Sequence, residues 1–406
     1  MSQQRLCTYL ADKLRITSFV EVDEILRNPD FAAGRTEMES LPFRGRTLLE
    51  LDGEEHRDRR KLETSLFGKT MLDRYESEVL APAIERCLRD ADAGRGPNGY
   101  VRADLARLSH TMFLQIAAAV IGLDGVDTPE RTELLEQCMY ALNAAFDVKY
   151  STRDHGEVIR EGLTAKGSFV EHFYRPSMQR RESLLAGFAK GEIAEGELPA
   201  DLLMIMLRHH RDDWDADLPV RETLLYLAGA TDTTSNAVNH SVAELLKWLI
   251  GQPDDRAHLY DRVFLRGVCN ETLRLKLNVT ALVRRATRDI ALSTGRVISS
   301  NQFVALDFIQ ANRDRNIFGD DADRFNPWRK VPSNVRPYGL AFGAGRHLCM
   351  GFPLVTPVTG GADRALFKIL QALLESGVEL DPERPPRFAP TAEEVYESLP
   401  ILLTAR

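Results

Sequence analysis

The chain has 406 residues, 44% hydrophobic and 28% charged, which is enough apolar material for a sizeable core and an ordinary balance for a water-soluble protein. A formal net charge of −8 argues against nucleic acid as the main partner. Five scattered cysteines without any C-x-x-C spacing exclude a disulfide framework and a zinc finger and suit a reducing cytoplasm.

In chain order, "MSQQRLCTYLADKL" lacks the apolar run and cleavage site of a secretory leader. "RITSF" (Arg15–Phe19) reads as a strand, and "DGEEHRDRRKLE" (Asp52–Glu63) is a charge-rich run. Helical periodicity runs through Met71–Asp92, Val101–Leu123, Arg131–Phe146 and Glu157–Gly191. The most apolar stretch, "MFLQIAAAVIGL", is too short to span a bilayer and carries Gln115, so no membrane segment is expected. "RHHRDDWDAD" (Arg208–Asp217) reads as a solvated loop, because His209 and His210, adjacent on a helix, point about 100° apart and do not share an ion. The longest uninterrupted pattern, Arg221–Ile250, has one glycine and no proline and predicts a single rod about 45 Å long. "RDIALSTGRVISSNQFVALDF" predicts strands around an "STGR" turn, and the chain is then loop-like as far as His347. No repeat or flexible linker divides it, so the expectation is one mainly α domain with a small β region over residues 1–406.

The stretch "AFGAGRHLCMG" fixes a single cysteine, Cys349, in a glycine-punctuated loop. Taken alone, a free cysteine is usually a small core hydrophobe. Here Gly343, Gly345 and Gly351 permit close backbone approach, Arg346 and His347 bring positive charge, and the chain turns toward a helical run. Those surroundings favour a thiolate serving as an axial metal ligand. The run Phe342–Gly351 resembles the heme-binding loop of the cytochrome P-450 family, Phe-Gly-x-Gly-x-His-x-Cys-x-Gly, at every fixed position. The resemblance extends over nearly the whole chain and implies a cytochrome P-450 fold, with heme b between the long central helix and the cysteine loop. It makes Cys349 the fifth iron ligand.

"GATDTTS" (Gly229–Ser235) resembles the family's oxygen-activation motif, with Asp232 as the acid and Thr233 as the alcohol that relay protons to dioxygen. Ala230 stands where glycine is usual. Glu271 and Arg274 in "ETLR" resemble the family's Glu-x-x-Arg pair, and Arg324 in "DRF" is expected as the third member of a buried structural lock. The resemblance assigns His56, Arg60, Arg284 and His347 to the heme propionates, and Leu225, Ala228, Val279, Ala281 and Tyr396 to the substrate pocket. Glu394 and Glu397 lie beside that last segment and are expected at the surface. Arg57, Arg59, Lys61 and Arg346 are expected to form a basic patch for an electron donor.

The function implied is that of a cytoplasmic, monomeric heme-thiolate monooxygenase. It inserts one atom of O2 into a hydrophobic small molecule with electrons from a separate ferredoxin or flavodoxin. The alternatives are a peroxide-driven oxygenase or a heme-dependent rearrangement on the same fold, and, from another class, a heme-binding sensor or carrier. Two features depart from the family. Only fourteen residues precede Arg15, where the family has a further helix and strands, so the expectation is that either the start is trimmed or part of the outer sheet and substrate entrance is missing. In "GFPLVTPVTGGADRALFKIL", Pro357 is expected to interrupt a helix that is normally continuous after the cysteine.

Overall fold

The computed structural model describes residues 10, 12–34, 38–92, 99–151, 153–357, 361–389 and 394–404. The chain divides into two compact units, one made of Met1–Gly34, Pro82–His110 and Thr233–Arg406, the other of Arg35–Ala81 and Thr111–Asp232. The first holds the cysteine loop and the second is helical.

In the first unit, a four-stranded sheet runs in the order Leu14–Ile16, Phe303–Asp307, Ala281–Ala286, Phe31–Ala33, with the first pair parallel and the others antiparallel. Ile16, Val304 and Leu306 point into one core, which the helix Phe19–Arg27 closes with Phe19, Val22, Ile25 and Leu26. That spacing lines one face of a helix. Asp314 fixes the helix start by accepting the Phe19 N–H at 3.1 Å, and Phe318 packs edge-on against Phe19 with ring centroids 5.5 Å apart. The expected "STGR" turn joins Ile290–Ala291 to Val297–Ile298, with Gly295 at φ 87°.

Non-local strands are where local periodicity misleads. Tyr100–Asp104, inside the segment that reads as helix from Val101, pairs antiparallel with Pro400–Thr404 at the far end of the chain. The helix starts only at Leu105 and runs to Ile121. The run from Met71 to Asp92 is divided by a wider π turn at Glu76–Leu80, and the run from Glu157 to Gly191 by another at Val170–Tyr174.

In the second unit the helices Pro129–Phe146 and His155–Phe169 pack closely because Gly162 lets them approach. A Cβ there would fall 2.3 Å from that of Ala145. The long helix extends over Leu218–Gly251, 34 residues, slightly beyond the expected rod. Its residues to Asp232 belong to the second unit and those from Thr233 to the first. Three of its buried hydroxyls are absorbed by the helix itself: Thr223 donates to the Pro219 carbonyl at 2.9 Å, Ser241 to Ala237 at 2.8 Å, and Thr231 to Leu227.

Candidate functional site

Two glycines in left-handed conformation shape the cysteine loop, Gly343 at φ 68° and Gly345 at φ 67°. A side chain at Gly345 would strike the Leu26 carbonyl oxygen at 2.4 Å, so this glycine lets the loop lie on the end of the helix Phe19–Arg27. Beside Gly343 there is room: a Cβ there would meet, among the described residues, nothing nearer than the His347 carbonyl oxygen at 4.0 Å. The Cys349 N–H donates to the Phe342 carbonyl at 2.9 Å and closes the loop. Arg346 donates to the carbonyls of Pro29 (3.1 Å) and Phe31 (2.8 Å). Cys349 is exposed, whereas Cys87, Cys138 and Cys269 are buried, and burial pushes the thiols of Cys138 and Cys269 up.

The interrupted helix is as Pro357 dictates. A single turn, Phe352–Val355, follows Gly351, Thr356 is extended, and the next helix is Ala365–Glu375. The helix run expected to stabilise the thiolate is thus reduced to four residues, and its dipole is correspondingly small.

Near the loop's chain neighbours lies a buried ion cluster. Glu271 takes two hydrogen bonds from Arg274, at 2.7 and 2.6 Å, and one from Arg329 at 2.7 Å. Arg274 also donates to the carbonyls of Asn312 and Ala322, both at 2.6 Å, and its guanidinium lies 4.8 Å from the Phe318 ring centre. The third member is therefore Arg329, a correction to the expected Arg324. Arg324 is exposed and contributes only its carbonyl, which accepts from Arg329 at 2.9 Å. The turn at Asn326, whose N–H also reaches Glu271, carries the chain inward just before Arg329.

In the second unit, the helix Gly53–Glu63 carries His56, buried, and Arg60, half-buried. Arg59 is buried, pairs with Glu222 at 3.1 Å and with Glu55 at 3.1 Å, and stacks over Trp214. It cannot join a docking patch, and Arg346 is committed to backbone carbonyls, so of the four expected basic residues Arg57 and Lys61 present exposed side chains. Asp232 is exposed and accepts a 2.7 Å hydrogen bond from the Asn143 side-chain amide. Leu225 and Ala228 are half-buried on the same helix.

Back in the first unit, Arg284 is buried in the strand Ala281–Ala286 and His347 ends the short turn Gly345–His347. Ala281 and Tyr396 are half-buried and Val279 is exposed. Glu394 accepts from Lys276 at 2.8 Å and Glu397 lies 3.5 Å from Arg387, so both acids already face protein cations. His209 and His210 are exposed, and among the described residues no group of His, Cys, Asp and Glu is arranged to hold a metal ion.

Sequence reasoning missed a second acid cluster. Glu63, fully buried, accepts the Tyr226 hydroxyl at 2.8 Å, while its Oε1 has no hydrogen-bond partner. Glu222 accepts from the Leu48 N–H at 3.1 and 3.2 Å and from Arg59. Burial, and then the neighbouring Glu222, hold the Glu63 carboxyl well above the usual range. The one signal available was a glutamate inside the apolar rod, at Glu222.

The family model of cytochrome P-450 matches residues 21–358. The chain belongs to the cytochrome P-450 family. Cyclomarin C epoxidase CymV of Salinispora arenicola is 34% identical over 339 residues, covering 82% of this chain and 76% of that protein. A probable cytochrome P-450 313a3 of Drosophila melanogaster is 32% identical over 165 residues, 36% of this chain and only 34% of that one. Substrate-free CYP109E1 from Bacillus megaterium shares the fold with a TM-score of 0.72 at 19% identity, covering 97% of this chain and 93% of that one. This cytochrome P-450 is accordingly a monooxygenase enzyme, and its cofactor is heme b. The residues present fit that group: one exposed thiol stands on a loop whose backbone is left open beside Gly343. Among the described residues, no helix is long and apolar enough to cross a membrane.

Proposed function

We propose that this cytochrome P-450 oxygenates a lipophilic small molecule with electrons from a separate protein, and that Cys349 supplies the thiolate ligand. The observation that carries the reading is the exposure of Cys349 on a loop pinned by Gly345 and Arg346 while three other cysteines are buried. Heme b, when bound, supplies the activation of O2. The chain's own part is to hold the ring, exclude water and deliver protons.

Arg284 and His347 would hold heme propionate through charge-assisted hydrogen bonds, while Phe342, Gly343 and Gly351 give the loop its flat face. Asp232, exposed and steadied by Asn143, takes protons from solvent, and Thr233 passes them inward. The substrate-facing positions are mostly apolar in each unit, Leu225 and Ala228 in the second and Val279, Ala281 and Tyr396 in the first, which suits a terpenoid, steroid, polyketide or aromatic compound. CymV is an epoxidase of cyclomarin C, so an electron-rich double bond is a proposed target alongside an unactivated C–H bond. Arg57 and Lys61 would receive an acidic ferredoxin or flavodoxin, and the enzyme would act as a cytoplasmic monomer.

The test is spectroscopic. The reduced, heme-loaded protein under carbon monoxide should show the red-shifted band of sulfur-ligated heme, and Cys349→His should abolish it while retaining heme. A parent protein without that band refutes the assignment of Cys349. Thr233→Ala should divert electrons to peroxide; unchanged coupling would favour the peroxide-driven alternative.

A further inference from the structure

A chain of side-chain amides joins the C-terminal hairpin to the long helix. The hairpin pairs Arg387–Phe388 with Tyr396–Ser398, two very short strands with a shifted register. So small a ribbon is not stable by itself and needs something to rest on. Here it rests on polar side chains. The Tyr396 N–H donates to Asn236 Oδ1 at 3.2 Å, and Asn236 Nδ2 donates to Asn278 Oδ1 at 2.7 Å. Asn278 Nδ2 then donates to the carbonyl of Thr233 at 2.8 Å. Asn236, itself on the long helix, accepts from the hairpin, and Asn278 braces its side chain against the Thr233 carbonyl one turn away.

A second set of contacts holds the start of this strand. The Glu394 carbonyl accepts from His240 Nε2 at 2.6 Å and from Asn236 Nδ2 at 3.2 Å, and the Glu394 carboxylate from Lys276, which also pairs with Glu244 at 3.1 Å. The Tyr396 ring lies against His240 and Phe388, with centroids 4.8 and 4.5 Å away. Thr233, Asn236 and His240 follow the i, i+3, i+7 stripe of the long helix. One face of that helix therefore carries both the alcohol and the anchor of the hairpin. A helix carbonyl has a spare lone pair, and at Thr233 the Asn278 amide takes it up.

We propose that Asn278 is a positioning residue, the link by which the hairpin carrying Tyr396 sets the place of Thr233 on the long helix. The inference rests on the reading of Tyr396 as substrate-facing and Thr233 as the proton-relaying alcohol. A substrate that displaces the hairpin pulls on the Asn236 side chain, and Asn278, which bridges that amide and the Thr233 carbonyl, passes the displacement to the turn that carries Thr233. The specificity region and the proton-delivery group are then one mechanical unit.

The experiment compares heme-loaded Asn278→Ala, Asn278→Asp and Thr233→Ala with the parent. Asp keeps an acceptor for Asn236 but has no N–H for Thr233. Amide hydrogen exchange over residues 394–404 reads the hairpin. Peroxide formed per electron, with O2 as the only acceptor and a surrogate ferredoxin and reductase as donor, reads Thr233. We expect Asn278→Ala to lose hairpin protection at least tenfold and to raise the peroxide yield severalfold. Asn278→Asp should raise the peroxide yield as Thr233→Ala does, with hairpin protection close to the parent's. Parent-like protection in Asn278→Ala, or a parent-like peroxide yield in Asn278→Asp beside a raised one in Thr233→Ala, overturns the proposal. A parent-like yield in Thr233→Ala itself removes the relay reading instead, and hairpin protection alone then decides the role of Asn278.

Discussion

Each unit buries a carboxylate cluster, and the two are built on opposite accounts of charge. Around Glu271 there are two guanidiniums, Arg274 and Arg329, and both carboxylate oxygens are filled. Among the described residues a single guanidinium, Arg59, is hydrogen-bonded to either Glu63 or Glu222, and Glu63 Oε1 and Arg59 Nε have no hydrogen-bond partner. Burying ions is costly unless each finds opposite charge and hydrogen bonds. The first cluster meets that condition as an ionic lock. In the second, burial pushes both carboxyls above the usual range; the neighbouring Glu222 pushes Glu63 further, while Arg59 and the Leu48 N–H act against burial at Glu222. A buried acid pair with too few cations is thus pushed toward holding a proton, whatever its formal charge in the sequence.

The largest effect expected from this contrast is at Glu271. Glu271→Ala leaves Arg274, with no exposed surface, without its counter-charge, while Arg329 keeps Asp321. Breaking a buried pair in this way costs about 3–5 kcal/mol, a large part of the stability of a typical domain. Thermal unfolding followed by heme absorbance should show a drop of many degrees, or no recoverable holoprotein. Survival with parent stability would mean that the cluster is not a lock.

The lock was only partly legible in the sequence, and the reason is physical. Glu271 and Arg274 are one helical turn apart, so their meeting is dictated by helix geometry. Arg329 reaches them across a loop, and nothing in local spacing separates it from Arg324, which stands on the same irregular segment. The same holds elsewhere. The cysteine loop was readable because its glycines, Arg346 and Cys349 act within ten residues. The strand Tyr100–Asp104 was not, because its partner Pro400–Thr404 lies at the other end of the chain. Asn278 has no local signal either: an asparagine in a connecting segment looks like a turn residue until the structure brings it to Thr233. Pro357 is the converse case, a local breaker whose effect needs no partner, and the helix stops where it predicts.

A smaller effect should come from Glu63→Gln, and its sign depends on pH. The folded Glu63 carboxyl holds its proton well above the ordinary value of 4.5. Between that value and the folded one the native state binds more protons than the unfolded chain, so the parent loses stability as pH rises through this window. Glutamine keeps an oxygen for the Tyr226 hydroxyl and does not titrate. Relative to the parent, Glu63→Gln should therefore gain stability from pH 4.5 toward neutrality, on the order of 1 kcal/mol. Denaturant unfolding of the two proteins across that range measures it. A gap that narrows with rising pH would mean that Glu63 is ionised in the fold.

The smallest effect is the sharpest test of how the lock is assembled. Arg324 gives the cluster its carbonyl, and any residue in that backbone conformation offers the same oxygen; its side chain faces solvent. Arg324→Ala should therefore stay within about 0.5 kcal/mol of the parent. Arg329→Ala removes a donor to Glu271 and to the carbonyls of Phe318 and Asp321, and should cost several times as much. The two arginines lie on one short segment, so a general weakening of that loop would move both variants together. Only the ionic assignment separates them, and equal losses at positions 324 and 329 would refute Arg329 as the third member of the lock.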